Sequence, residues 1–229
     1  MVLLASDDHA RGGAEDDPER VRILEAAERL FYAHGLQQVG MDQVRAEAGV
    51  SLKRLYREFP SKDQLIEAYL VGRDARWLAS LRTAVASSPG TVRTASQRIL
   101  AAFDWLDEWF AEPGFRGCAF TNSFGELGPG SGVVSAIASA HKVEFRAVFG
   151  RLVDELASEL GLPLTPMLGE QLYLLAEGAI TAAGVTGDLT TARSARAAAM
   201  TLLDAAAGTR AEPGRSGGRG LFRRFRGRR

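Results

Sequence analysis

The sequence predicts an all-α fold, with an N-terminal three-helix unit built on a helix-turn-helix and a larger helical unit after it. Three observations predict it. Apolar residues recur at helical spacing through most of the 229 residues, and no strand-like alternation is long enough to compete. Helix punctuation at Asp17-Pro18, Gly35, Pro60-Ser61, Pro113-Gly114 and Thr165-Pro166 cuts that pattern into helix-length pieces. The stretch Met41 to Phe59, MDQVRAEAGVSLKRLYREF, reads as two short helices joined at a glycine.

Residues 1–17 carry Asp7, Asp8, Glu15, Asp16 and Asp17 and little to bury, which predicts a disordered acidic leader. Asp17 caps a helix whose first residue is Pro18, a position where the missing amide costs nothing. This helix runs to His34, buries Ile23, Ala27, Leu30 and Phe31, and stops at Gly35. His34 reads as a helix-end residue beside the C-terminal dipole. In the next segment Gly49 makes the corner, because glycine enters the left-handed region without steric cost, and Ser51 caps the second short helix. On that helix Leu52, Leu55 and Phe59 fall on one face, Lys53, Arg54 and Arg57 on the opposite one, and Tyr56 at the border. Pro60 ends it. Ser61 then caps a long helix reaching Ser87, with Leu65, Ile66, Tyr69, Leu70, Leu78 and Leu81 inward.

Pro89 and Gly90 break the chain, and Thr91 to Ala111 reads as a helix carrying Ile99, Leu100, Phe103, Leu106, Trp109 and Phe110. The segment Gly114 to Glu126, GFRGCAFTNSFGE, is the densest cluster of aromatic and small polar residues, and Pro129, Gly130 and Gly132 predict a flexible connection. A helix from Val133 to Leu160 presents Val134, Ile137, Val143, Phe145, Val148, Phe149, Leu152, Val153 and Leu156. Thr165 caps a helix that starts at Pro166 and ends near Gly184 or Gly187, and Thr190 opens an alanine-rich helix to Ala207. Residues 209–229 are Gly- and Arg-rich and cannot bury a core. They read as a disordered tail, either simply solvated or an arm for nucleic acid or an anionic membrane.

A short helix with an apolar back and a cationic front, held by a glycine turn against a partner helix, is suited to a DNA major groove. A plain structural hairpin has the same glycine and solvated basic residues, so this pattern leaves both readings open. The wider wording reaches further: Ile23-Leu24-Glu25-Ala26-Ala27, Leu30-Phe31 with Gly35, Met41-Asp42 with Val44, Ala48-Gly49-Val50-Ser51, Leu55-Tyr56, and Phe59-Pro60-Ser61-Lys62 with Leu65. In that order and spacing, residues 18–70 resemble the N-terminal domain of the TetR family of transcriptional regulators. The resemblance implies a DNA-binding domain over 18–62 and a helical effector-binding and dimerisation domain over 63–208. It turns Gln43, Ser51, Leu52, Lys53, Arg54, Tyr56, Arg57 and Lys62 toward DNA. Lys53, Arg54 and Arg57 would meet bases or phosphates, with Tyr56 and Lys62 on the backbone. The sequence departs from the family at Lys53, where glycine is common, and at Glu58, where a phosphate-touching histidine is common and a carboxylate repels.

Beyond residue 100 the candidate ligand wall is Phe103, Trp105, Trp109, Cys118, Phe120, Asn122, His141, Phe145 and Tyr173, joined by Phe115 and Phe124. Such aromatics also make ordinary cores; Asn122, Glu126 and His141 are the residues that suggest a ligand to orient. The resemblance implies a regulatory cavity here, suited to a small apolar or aromatic effector. Cys118 reads either as an inert buried thiol or as a redox-active one. The small residues of Tyr173 to Ile180 and Ala195 to Ala206 allow close helix approach, within the monomer or, as the resemblance implies, in a homodimer.

Composition narrows the rest. Net charge is zero, yet the leader is acidic and the tail strongly cationic, so neutrality does not argue against nucleic acid. One cysteine excludes an intrachain disulfide. With no long uncharged apolar run and no signal-peptide pattern, the expectation is a cytoplasmic protein without a membrane span. His9, His34 and His141 are too scattered for a metal triad, no nucleophile elbow occurs, and Gly128 to Gly132 lacks the lysine of a phosphate loop. No catalytic residue, metal or cofactor is therefore expected. The sequence points to a ligand-responsive repressor that binds a palindromic double-stranded operator as a dimer. The alternative is a helical dimeric small-molecule-binding or interaction module without sequence-specific DNA binding.

Overall fold

Nine α-helices and one 3-10 turn make up the described residues, 17–86 and 93–208, of the computed structural model. The leader up to residue 16, the break at Pro89 and Gly90, and the tail from Thr209 lie outside them. Helix α1 (Pro18–His34) starts where the Asp17 carboxylate accepts from the Glu19 amide at 2.9 Å. It ends at Gly35, whose φ of 91° only glycine adopts freely. Helices α2 (Met41–Ala48) and α3 (Leu52–Glu58) meet at Gly49, which turns the chain with φ 65° and ψ 35°. Ser51 Oγ caps α3 by accepting from the Arg54 amide at 3.2 Å. Ser61 does the same for α4 (Lys62–Val85) through the Gln64 amide. Ile23, Ala27 and Phe31 of α1, Val44 of α2, and Leu55, Phe59 and Leu65 are all buried in the core that results.

Helix α4 continues into the larger unit, where Trp77, Leu78, Leu81 and Val85 are buried. That half of α4 packs on α5 (Ala95–Phe110) and α7 (Gly132–Leu160). Helix α6 (Ala119–Leu127) lies on α7, while α8 (Pro166–Thr186) and α9 (Thr191–Gly208) pack on each other and on α7 and α5 respectively. Glu28 ties α1 to α4, taking Arg73 Nη1 at 2.8 Å and also Arg76.

Three expectations need correction, and one segment left without an element takes one. The segment from Gly114 holds a helix, α6, because the Cys118 sulfur caps it by accepting from the Thr121 amide at 3.4 Å. Pro129 and Gly130 form a 3-10 turn closed by the Ser131 amide on the Gly128 carbonyl at 3.2 Å. Helix α5 starts at Ala95 instead of Thr91, since Thr94 and Gln97 make a reciprocal capping box. Val143, expected inward, is exposed on α7. No helix among the described residues is long and apolar enough to cross a membrane.

One backbone contact constrains the loop that leads into α6. A Cβ added to Gly184 of α8 would stand 3.0 Å from the Gly117 Cα, and Gly117 itself sits at φ 79°. Neither backbone can yield to a methyl group without moving α6 or α8. Gly184→Ala should therefore destabilise the protein by about 1 to 3 kcal/mol, read as a lowered urea midpoint. An unchanged midpoint would show that the two backbones have room to spare.

Candidate nucleic-acid interface and effector region

Residues Leu52, Lys53, Tyr56 and Arg57 share one face of α3 at spacings of three and four, and all four are exposed. Leu55 and Phe59 are buried behind them. Leu52 was expected on the apolar back; instead, at the first position of α3, it is 49% exposed. It brings a methyl-bearing surface to the cationic face, suited to contact with a thymine methyl. Ser51 spends its hydroxyl on the cap, and Gln43 does likewise, its Oε1 accepting from the Gly40 amide at 2.7 Å. Lys62 reaches the Gln37 carbonyl at 3.4 Å and stays half-buried at the start of α4.

Arg54 departs most from expectation. Its side chain is 15% exposed and lies among three carboxylates, Asp17, Glu19 (2.9 Å) and Glu58 (3.3 Å). Arg20 approaches Glu58 at 3.9 Å and lies over the Phe59 ring at 4.5 Å. Arg54 therefore faces the start of α1, where carboxylates surround it, and leaves Lys53 and Arg57 as the cations of the exposed face. The Glu19 amide and the Arg54 guanidinium hold the Asp17 carboxyl below the ordinary carboxylate range. Glu58, unfavourable beside a phosphate, becomes intelligible as a partner of Arg54, Arg20 and Arg57.

The expected effector wall is brought together only in part. Trp77, which sequence reasoning left out, lies edge-on to Trp105, Trp109, His141 and Phe145 with centroid separations of 5.0, 5.6, 4.9 and 4.9 Å. Phe103 packs on Phe149 and Phe145 on Tyr173. These rings fill the space they enclose. Asn122 is turned away from them, donating to the Arg116 carbonyl at 2.9 Å. His141 is buried and bonded to Asp74 Oδ1 at 2.7 Å. Cys118 and Phe120 lie beside His141, the Phe120 ring stacked on it at 3.8 Å. A cavity of about 240 Å³ opens next to them, lined by Phe120, Thr121, Phe124, Ala138, Lys142 and neighbouring serines.

A second link between the two halves had no signal in the sequence, since its partners lie far apart in the chain. The Tyr32 hydroxyl of α1 donates to the Gly117 carbonyl at 2.9 Å and accepts from the Arg116 amide at 2.8 Å. Burial pushes the Tyr32 phenol up, so it remains a donor. At the other end of α6, Glu126 accepts from the Gln37 amide at 2.9 Å, and the Gln37 side chain donates to the Glu126 carbonyl. Its carboxylate lies where a Cβ on Gly35 would stand, within 2.8 Å. Glu126, expected to orient a ligand, instead fastens α6 to the loop after α1. A cleft of about 710 Å³ separates these two tethers and is lined by Tyr32, Tyr69, Arg116 and Asn122 among others.

A helix pair turning on a left-handed glycine, with an exposed Lys, Tyr and Arg face on its second member, defines a helix-turn-helix DNA-binding protein. The crystal structure of a TetR-family transcriptional regulator from Streptomyces coelicolor matches with a TM-score of 0.71 at 30% identity, covering 83% of this chain and 96% of that one. Residues 23–69 match the family model for bacterial regulatory proteins, tetR family. The chain belongs to the TetR family of transcriptional regulators. An uncharacterised HTH-type transcriptional regulator of Mycobacterium tuberculosis is 46% identical over 57 residues, 25% of this chain and 28% of that protein. The HTH-type transcriptional activator FasR of Mycolicibacterium smegmatis is 30% identical over 91 residues, 40% of this chain and 42% of that protein. The chain thus matches less than half the length of these curated relatives.

The two arginines of α3 should separate experimentally. Arg57→Ala should weaken DNA binding and reduce its salt dependence while leaving thermal stability intact, because its side chain is 60% exposed. Arg54→Ala should lower stability by about 1 to 3 kcal/mol, the usual worth of a charged hydrogen-bonding group. Fluorescence anisotropy beside thermal denaturation reads both. Equal melting points for wild type and Arg54→Ala would remove the structural role given to that side chain.

Proposed function

We propose that this regulator is a homodimeric repressor of a palindromic operator, released by a small apolar or aromatic effector. The observation that carries the operator half is the exposed Leu52, Lys53, Tyr56 and Arg57 face, bounded by Lys62 at the start of the next helix. Lys53 and Arg57 reach bases or phosphates in the major groove, and Tyr56 and Lys62 hold the sugar-phosphate backbone. The proposed division puts DNA binding in residues 18–62 and effector binding and dimerisation in 63–208.

Dimerisation through α8 and α9 is supported by an unpartnered face. Met167, Gln171, Leu174, Gly178, Thr181 and Val185 recur at helical spacing and are exposed, and Leu174 is 56% exposed. Beside it runs an apolar groove of about 570 Å³ between α8 and α9, lined by Leu174, Leu175, Ala198 and Leu202. Two such faces brought together set two recognition helices for half-sites about 34 Å apart. The effector half is supported by the 240 Å³ cavity at Phe120 and by α6, which runs from that cavity to the Glu126 tether.

Leu174→Glu puts a charge in the centre of the proposed interface. It should convert the dimer to monomer in analytical ultracentrifugation and lower affinity at least tenfold for a DNA fragment selected from random sequence by the wild type. The selected fragments should share an inverted repeat. Selected DNA without dyad symmetry, or a Leu174→Glu variant that stays dimeric, would rule out this arrangement.

A further inference from the structure

Two residues in the wall of the 710 Å³ cleft carry hydroxyls for which the fold supplies no use. Tyr69 of α4 and Ser123 of α6 are each 3% exposed. Among the described residues neither hydroxyl makes a hydrogen bond, and neither is sealed from solvent. Burying a hydroxyl without a partner costs stability, so a chain that needed these two positions only for packing would be better served by phenylalanine and alanine. Burial pushes the Tyr69 phenol up, so it is a donor at neutral pH.

Arg116 supplies a charge to the same wall. Its backbone is fixed from both sides, the amide donating to the Tyr32 hydroxyl at 2.8 Å and the carbonyl accepting from Asn122 Nδ2 at 2.9 Å. Its guanidinium is exposed and, among the described residues, has neither an ion pair nor a hydrogen bond. It stands just ahead of the N-terminus of α6, the positive end of that helix. The one carboxylate of the wall, Glu126, belongs to the other end of α6 and already accepts from the Gln37 amide at 2.9 Å. Nine residues rising 1.5 Å each make that helix about 13 Å long, so an anion beside Arg116 is well away from Glu126. Phe31 and Phe115 add aromatic surface to the cleft.

We infer that the cleft between α1, α4 and α6 binds small aromatic carboxylates, with Arg116 pairing the carboxylate, the Tyr69 and Ser123 hydroxyls donating to the ligand's oxygens, and Phe31 and Phe115 receiving the ring. Guanidinium and hydroxyl groups are the donors a carboxylate accepts from, and the ligand gives the two orphaned hydroxyls the partner that the fold withholds. The volume lies within the roughly 300 to 1,000 Å³ usual for small-molecule sites, and about 150 Å³ already admits benzene. The 240 Å³ cavity on the other side of α6 has a cation too, Lys142, but Glu177 holds it at 2.7 and 2.8 Å. An occupant of the cleft touches α1 and α4 on one side and α6 on the other, so it bridges the two halves of the molecule.

The test titrates benzoate and 4-hydroxybenzoate into the full-length protein by isothermal calorimetry, with benzamide and 4-hydroxybenzamide as uncharged counterparts. At least one carboxylate should bind with a dissociation constant below about 1 mM, and at least tenfold more tightly than its amide. Arg116→Gln should remove that preference, and Arg116→Lys should restore part of it. Tyr69→Phe should weaken binding at least threefold without lowering the melting temperature of the free protein, because the hydroxyl it removes has no internal partner. A tyrosine that served the core alone would leave the affinity unchanged. Phe124→Ala, at an exposed residue in the wall of the 240 Å³ cavity, should bind the carboxylate as the wild type does. Failure of both carboxylates to bind, equal affinity for acid and amide, unchanged affinity in Tyr69→Phe, or a loss of binding in Phe124→Ala would each overturn the inference. None of these measurements involves DNA, so their outcome is independent of the operator reading.

Discussion

The larger half of the molecule depends on Trp77. It stands on α4, the helix that passes from one half to the other, and meets two rings of α5 and two of α7 edge-on. Edge-to-face pairs contribute on the order of 0.5 to 1.5 kcal/mol each beyond the area they bury, so four around one indole fasten the crossing of α4, α5 and α7. Packing there has a consequence for ligands. Space occupied by five interlocking rings is not space for an effector, and two open volumes lie on the two sides of α6. The same rings that suggest an aromatic pocket in the sequence pack on one another, and a cavity opens beside them at α6.

Helix α6 is short, and few contacts fix its ends. Its N-terminus is capped by a sulfur, and the preceding loop is pinned between Tyr32 and Gly184. Near its C-terminus Glu126 is held by Gln37. The attachments to Tyr32 and Gln37 reach α1 and the loop that follows it, which lead directly into α2 and α3. A displacement of α6 therefore needs no relay through α4.

Much of this architecture was legible in the sequence because local rules write it there. Asp17, Ser51, Ser61 and Thr165 announce helix starts, and Gly35, Gly49 and Gly187 announce ends or corners, each by a backbone requirement of its own. Periodicity found the core faces of α1 and α4. It failed for α6, where Cys118 replaces the usual capping residue and the small polar residues of Thr121-Asn122-Ser123 imitate a loop. It also misplaced Arg54. A helical wheel puts Arg54 beside Lys53 and Arg57, but the carboxylates that claim it come from Asp17 and Glu19, 37 and 35 positions earlier by their numbering, and no periodicity connects the two. The candidate effector residues show the same limit: residue type identified His141 and Cys118 as unusual, while only the fold supplies Asp74 and Lys142 as their partners.

The strength of the α6 attachments matches what the proposed effector response requires. A ligand shifts a two-state equilibrium only by its differential affinity for the two states, and coupling free energies of about 1 to 3 kcal/mol are typical. Hydrogen bonds such as Tyr32 to Gly117 and Gln37 to Glu126 each contribute on the order of 1 kcal/mol net. Losing one hydrogen bond from each tether would change DNA affinity by about tenfold to a hundredfold if the bonded arrangement is the DNA-competent one. A tether much stronger than this would hold α1 whatever occupied the cavity, and a weaker one would leave the DNA-binding unit indifferent to α6. The loss of one neutral or singly charged hydrogen bond at each end of a nine-residue helix lies between those limits. The buried rings around Trp77 provide the fixed frame against which so small an energy can still move something.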